Sequence, residues 1–250
     1  MRLGIVGGGR AAWAFGSTWR RIGWPLAGVW LRDESHSHIA ELLETSRVEL
    51  EDLALDADLL LLGVVDRAIP EVAALIPETE AMIFHASGAL PSLRGGFSLH
   101  PLRALPAVGT PSDLRDTLLV FEGQHRRTAQ VIAVAAGARF AEVSSENKAL
   151  YHAAAVFGSN YVAALLEISE RLLGRAGVAG AREEIAHLAI SAVENWRSHA
   201  DERRFTGPAA RGESEVLARH LEVLRDDPRL AEIYDLLARE ITGAILASRK

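Results

Sequence analysis

The first sixteen residues constrain what this chain can fold into more than any other stretch. Leu3 to Val6 is a short apolar run of the kind that forms a strand buried on both faces, and it passes directly into Gly7-Gly8-Gly9 and then Arg10-Ala11-Ala12. Gly7, Gly9 and Ala12 fit G-x-G-x-x-A, and the residues that follow, through Trp19, are small and apolar, as in a helix packed on a sheet. The first glycine of such a turn permits the tight exit from the strand. The second lacks a side chain, so a pyrophosphate can approach the backbone, and the small third residue keeps the helix close to the sheet. The free N–H groups and positive end of the helix receive the phosphates. The stretch predicts a dinucleotide-binding βα turn with contacts at Gly7, Gly9, Arg10, Ala11 and Ala12.

Composition narrows the classes. With 49% hydrophobic residues in 250, the chain can bury one large core or two modest ones. The absence of cysteine removes disulfides, thiolate metal sites and cysteine nucleophiles. A formal net charge of −6 and no basic stripe argue against a nucleic-acid partner. No uninterrupted apolar run reaches the roughly 18 residues of a membrane span, and a strand starting at residue 3 leaves no room for a signal peptide, so a cytoplasmic protein without a membrane partner is expected.

The helix after the glycines should end near Gly23, and Leu26 to Leu31 reads as a second strand that ends Leu31-Arg32-Asp33. At this place an acid binds the 2′-OH of NAD and a basic residue accommodates the 2′-phosphate of NADP. Arg32, with Ser35 close behind, reads as a phosphate pocket and favours NADP(H) over NAD(H). Asp33 fits NAD, and the Arg32–Asp33 pair also reads as a solvated loop. His36 and His38 read as part of a solvated loop, so no metal is expected. After a helix over Ile39–Leu43, residues Leu53 to Asp58 lead into a third strand, Leu59–Val65, with Val65 and Asp66 at its ligand-binding carboxyl end. A short helix to Ile76 precedes a fourth strand, Ala81–His85, that runs into Ala86-Ser87-Gly88. Phe97-Ser98-Leu99-His100-Pro101-Leu102 repeats the pattern of a histidine and a helix breaker at a strand end. Each histidine singly reads as structural; together they read as ligand contacts. Strands Thr117–Phe121 and Arg139–Val143, separated by a helix over Arg126–Ala136 with Gly137 as its C-cap, complete the sheet.

From Ser144 onward only helical periods remain, which places a domain boundary at 143/144. The fold class is therefore α/β: a doubly wound, parallel Rossmann-type sheet over 1–143, then an all-helical domain over 144–250. Its first helix, Glu146 to about Leu173, opens with a capping sequence, Ser144-Ser145-Glu146-Asn147. On it Lys148, His152, Ala155 and Ser159 share one face, with Asn160 at the edge. That polar face on an apolar helix reads as catalytic; a lysine at a helix start that simply reaches solvent is the other reading. Further helices are expected at Ala181–Trp196, Glu213–Leu224 and Arg229–Ser248. In the loop before Glu213, Thr206-Gly207-Pro208 breaks the helix and Arg211-Gly212 starts the next, so that Arg211 presents a guanidinium near a helix N-terminus, where anions bind.

Gly7-x-Gly9-x-x-Ala12, His85-Ala86-Ser87-Gly88, Ser98-Leu99-His100-Pro101-Leu102, the run Lys148 to Ala155 with Ser159-Asn160-Tyr161, and Thr206-Gly207-Pro208 with Arg211-Gly212 together resemble the bacterial Rossmann-like proteins with a DUF2520 C-terminal domain. That family resembles the pyrroline-5-carboxylate reductases, ketopantoate reductases, β-hydroxyacid dehydrogenases and prephenate dehydrogenases, in which a nucleotide domain precedes a helical domain that commonly dimerises. The β-hydroxyacid and ketopantoate enzymes carry a catalytic lysine with asparagine one turn later. Lys148 matches the lysine, but one turn on stands His152, and the asparagine comes only at Asn160. His100-Pro101 is similar to the His-Pro-Met stretch of prephenate dehydrogenases.

The resulting expectation is an NADP(H)-dependent oxidoreductase that moves a hydride between the nicotinamide and a small carboxylated carbonyl, hydroxy or imino substrate, with a ketopantoate-like 2-oxo acid favoured by resemblance. Lys148 would donate the proton with His152 as its partner. Ser87 and His100 would line the nicotinamide side, Ser159 and Asn160 would hold substrate, and Arg211 its carboxylate. Apolar helices in the second domain point to a homodimer. A non-catalytic NADP(H)-binding sensor or assembly protein is the competing class.

Overall fold

The computed structural model describes residues 1–33, 38–93 and 95–248; Ser35 and His36 lie outside them. The chain forms two compact units, Met1–Tyr161 and Val162–Lys250. The segment 144–161, expected to open the helical domain, thus belongs to the same unit as the sheet.

The first unit runs β1 (Leu3–Val6), α1 (Arg10–Arg21), β2 (Leu26–Trp30), α2 (His38–Leu42), α3 (Leu50–Asp56), β3 (Leu59–Leu62), α4 (Ile69–Leu75), β4 (Met82–His85), β5 (Phe97–Pro101), β6 (Leu118–Gly123), α5 (Arg126–Ala136), β7 (Arg139–Glu142) and α6 (Lys148–Phe157). The strands form one sheet in the order β2-β1-β3-β4-β5-β6-β7. Pairing is parallel throughout except between β5 and β6. Alternation along the apolar strands sorts side chains to two faces. Leu59 and Leu61 join a core with Phe15, Trp19, Phe84, Phe97 and Phe121, while Leu60 and Leu62 join a second with Leu53, Val72 and Ile83. In the first core the rings of Phe15, Phe84, Phe97 and Phe121 follow one another at centroid separations of 5.5, 5.0 and 6.1 Å. Helix α3 occupies what the sequence reads as the approach to β3; Leu50, Leu53 and Ala54 face the sheet at helical spacing. Gly137 ends α5 in the left-handed region (φ 71°), as its place after the last turn requires.

The long helix expected from residue 146 is interrupted. A 3₁₀ turn over Ser145–Asn147, capped by the Ser144 hydroxyl on the Asn147 N–H, leads into α6, and a turn at Gly158-Ser159 separates it from α7 (Asn160–Arg175). Ser159 returns its hydroxyl to the Ala155 carbonyl at 2.6 Å, which favours a bend. By length and mean hydropathy the run Ser145–Arg175 meets the dimensions of a membrane span. The sequence reading excluded such a span because it required an uninterrupted apolar run; here polar residues such as Ser159 and Asn160 are dispersed among apolar ones.

The second unit is helical: α8 (Arg182–Ser198), the single-turn α9 (Pro208–Arg211), α10 (Ser214–Leu224) and α11 (Pro228–Ser248). Arg211 is the last residue of α9, not the start of the next helix, because Pro208 takes the N1 position and Gly212 (φ 71°) terminates the turn. Its exposed guanidinium bonds both carboxylate oxygens of Glu213, at 2.7 and 3.1 Å.

Candidate active site

The carboxyl ends of β1, β3, β4 and β5 lie along one edge of the sheet. The glycine turn after β1 is built for close approach. Gly7 has φ +105°, and a side-chain carbon there would stand 2.5 Å from Val64 Cγ1. Gly9 donates its N–H to the Gly63 carbonyl (3.2 Å), and Gly63 in turn has room only for hydrogen, since a carbon on it would stand 2.7 Å from Ala12 Cβ. The small third position of the fingerprint thus packs against a glycine at the end of β3, a partner that the motif does not name. Among the described residues no side chain caps α1, and its first turn holds no acid, so its leading N–H groups at Arg10, Ala11 and Ala12 suit a phosphate. These features fit a dinucleotide. Arg32, at the end of β2, is half exposed and pairs with Glu71 at 3.2 Å.

After β3, Val65 is exposed, and Asp66 opens a short 3₁₀ turn whose carboxylate accepts from the Ser87 hydroxyl at 2.8 Å. Ser87 accepts in turn from the N–H groups of Ala89 and Leu90, which fixes the loop after β4. His85 serves the same loop. Its Nδ1 accepts from the Ser87 N–H, so Nε2 carries the proton and donates to the Pro91 carbonyl at 3.0 Å. Burial lowers its pKa and keeps it neutral. The histidine at the end of β4 is therefore turned into its own loop.

His85, Ser98 and Glu122 stand opposite one another across β4, β5 and β6. Lys148, the first residue of α6, reaches into this row. Its side chain is 2% exposed and that of Glu122 3%; the ammonium lies 3.3 Å from Glu122 Oε2 and donates to Ser98 Oγ. Glu122 also accepts from the Ser145 hydroxyl (2.7 Å), the Ser92 N–H (2.8 Å), the Ser92 hydroxyl (3.3 Å) and the Ser98 hydroxyl (3.2 Å). Burial by itself would raise the Glu122 pKa, but the Ser145, Ser92 and Lys148 donors outweigh it and hold the carboxyl below its usual range. Burial pulls the Lys148 pKa down against the attraction of Glu122. The ring of donors around the carboxylate decides for an ionised Glu122 facing an ammonium.

His100, two residues beyond Ser98 on β5, meets the helix face that follows Lys148. The Tyr151 hydroxyl and His100 Nδ1 share a hydrogen bond, and the rings cross edge to face. Burial pushes the Tyr151 phenol up to about 12, and burial, with His152 and Lys148 nearby, takes His100 down to about 4. At neutral pH the phenol keeps its proton and the His100 imidazole is uncharged. A side-chain carbon on Gly88 would stand 3.0 Å from His100 Nε2 and 2.5 Å from His152 Nδ1, so the loop after β4 presses its backbone against both imidazoles. His152 Nδ1 is buried with no hydrogen-bond partner among the described residues.

Of the face read from helical spacing, the structure brings His152 into this cluster, seals Lys148 beneath it, and turns the Ser159 hydroxyl toward Ala155 and the side chain of the exposed Asn160. Sequence reasoning missed Glu122 and gave Tyr151 no role. The available signal for Glu122 was a single acid in an otherwise apolar strand.

A model of Rossmann-like domains matches residues 1–103 and one of a domain of unknown function, DUF2520, matches residues 118–241. No curated protein matches the chain. Among solved structures, a Bacteroides fragilis protein described as an NADP oxidoreductase is similar with a TM-score of 0.81 at 22% identity, over 97% of this chain and 98% of that one. The 1-pyrroline-5-carboxylate reductase of Streptococcus pyogenes gives 0.67 at 14% identity, over 97% and 95%. A reductive aminase of Aspergillus terreus, solved with NADPH and ethyl levulinate, gives 0.65 at 14%, over 97% and 95%. The first model covers β1 to β5 and the second takes in β6, β7 and the helices after them up to residue 241, so the chain joins a Rossmann-like domain to a DUF2520 domain.

Proposed function

We propose that this protein is an NADP(H)-dependent oxidoreductase that reduces the C=O or C=N bond of a small substrate. The observation that carries the reading is the pairing of an uncapped, glycine-lined phosphate turn with a cluster of half-buried proton-carrying groups, His100, Tyr151 and His152, at the carboxyl ends of strands in the same sheet. A bound nicotinamide would supply the hydride. Gly7, Gly9, Arg10, Ala11 and Ala12 would hold its phosphates, Arg32 the 2′-phosphate, and Asp66 and Ser87 the loop beside its ring. The reduced oxygen or nitrogen needs a proton from within hydrogen-bond reach. His100, which carries its proton on Nε2 when Tyr151 donates to Nδ1, and His152, with an unpartnered Nδ1, would fill that role; Lys148, the donor expected from helical spacing, is sealed by Glu122 and Ser98.

The Streptococcus relative is named for a carboxylated cyclic imine and the Aspergillus relative for amine formation, which supports an imino or 2-oxo acid as substrate. Exposed apolar side chains along the helices, among them Leu150, Phe157, Leu188 and Trp196, support a homodimer in which a second copy covers them. Oxidation of NADPH in the presence of cyclic imines and 2-oxo acids tests the function.

A further inference from the structure

The Lys148–Glu122 pair joins parts of the chain that are far apart in sequence. Glu122 lies near the end of β6; Ser98 lies on β5; Ser92 lies on the loop that also carries Ser87 and Gly88; Ser145 lies in the 3₁₀ turn before α6, and Lys148 opens that helix. All of them converge on one carboxylate. Lys148 also sets the rotation of α6, because Tyr151 and His152 follow it by three and four residues and so share its face. If the ammonium is fixed in the row of Ser98 and Glu122, these two side chains fall against His100 and Gly88, where the structure has them. A buried ion pair contributes little stability beyond an uncharged pair of similar volume, whereas removing one partner strands a charge. Its effect here is on geometry.

We propose that Glu122 and Lys148 are positioning residues: their ion pair sets α6 so that Tyr151 and His152 meet His100 over Gly88, and neither exchanges a proton with the substrate. This inference rests on the reading of His100, Tyr151 and His152 as the proton-carrying face. It differs from a donor role for Lys148 in one respect that can be measured: the two charges should be removable together.

The test compares Lys148→Met, Glu122→Gln and the double variant with wild type. Nitrogen-detected NMR of the imidazoles at neutral pH should show the Nε2–H form of His100 in wild type, its loss in each single variant, and its return in the double variant. Turnover of NADPH with a cyclic imine should fall roughly 10²-fold in each single variant, as for a misplaced catalytic group, and recover to within about tenfold of wild type in the double variant, with the pH profile unchanged. A single variant that fails to fold but is rescued by the second substitution supports the pairing equally. A double variant with the native His100 signature and no turnover would show that Lys148 handles a proton and overturn the proposal, as would an unchanged His100 signature in both single variants. Wild type that binds no NADPH would instead sink the functional reading, and the NMR comparison would still decide the positioning role.

Discussion

The backbone of Gly88 lies directly against His152, so that a methyl group at position 88 would stand 2.5 Å from the imidazole Nδ1. Real side-chain carbons do not approach so closely, and either the ring or the loop must move. Gly88→Ala should therefore leave NADPH affinity within a few fold, because the phosphate turn is untouched, and lower kcat by roughly 10²-fold through displacement of His152. Steady-state kinetics beside a cofactor titration separates the two effects; a variant with unchanged kcat would remove His152 from the reacting face.

Arg32 is the basic residue placed to distinguish the two nicotinamide cofactors, and its present partner is Glu71. If it receives a 2′-phosphate, NADPH should bind wild type at least tenfold more tightly than NADH, about 1.4 kcal/mol, and Arg32→Ala should abolish the difference by weakening NADPH alone. Fluorescence titration of both cofactors checks this. Equal affinities in wild type, or an NADH preference that Arg32→Ala leaves unchanged, would remove Arg32 from the cofactor pocket.

The depressed pKa of His100 has a stability consequence with a definite sign. In the unfolded chain the imidazole takes up a proton near 6.5, and in the folded protein only near about 4, because burial and then the neighbouring His152 and Lys148 oppose the charge. Between these values the unfolded state binds more protons, so the contribution is present above pH 6.5 and lost as the pH falls toward 4. Melting temperatures measured across that window should drop in wild type and drop less in His100→Gln.

The helices expose Leu150, Phe157, Leu188, Ile190 and Trp196. Covered by a second copy, these faces would give a particle of twice the monomer mass at micromolar concentration in light scattering, and Trp196→Glu should shift it toward monomer. A wild-type monomer would leave these faces without the occupant assigned to them.

Much of the sheet domain was legible because its signals are local. The stretch from Leu3 through Ala12 combines strand, glycine spacing and helix in ten residues, and the buried strands read as continuous apolar runs. Helix α3 was hidden because Leu50, Leu53 and Ala54 form too short a period to be separated from the apolar strand that follows. The site was only half legible. Helical spacing puts Lys148 and His152 on one face, and the structure keeps them there, but spacing does not reveal depth. Whether a lysine on such a face reaches substrate or is sealed depends on what stands opposite. Here that is Glu122 with Ser92, Ser98 and Ser145, residues brought together by strand order and loop path. Tyr151 likewise acquires its role only through His100, fifty-one positions away in sequence.

The most direct test of the proposed function is the consumption of NADPH by the purified protein with a panel of cyclic imines and 2-oxo acids, in wild type and in Tyr151→Phe. The function predicts stoichiometric formation of the amine or hydroxy acid by wild type, with carboxylated substrates preferred, and at least a tenfold lower kcat without the phenol. Folded wild type that binds neither nicotinamide cofactor, or binds it and reduces no member of the panel, would contradict it.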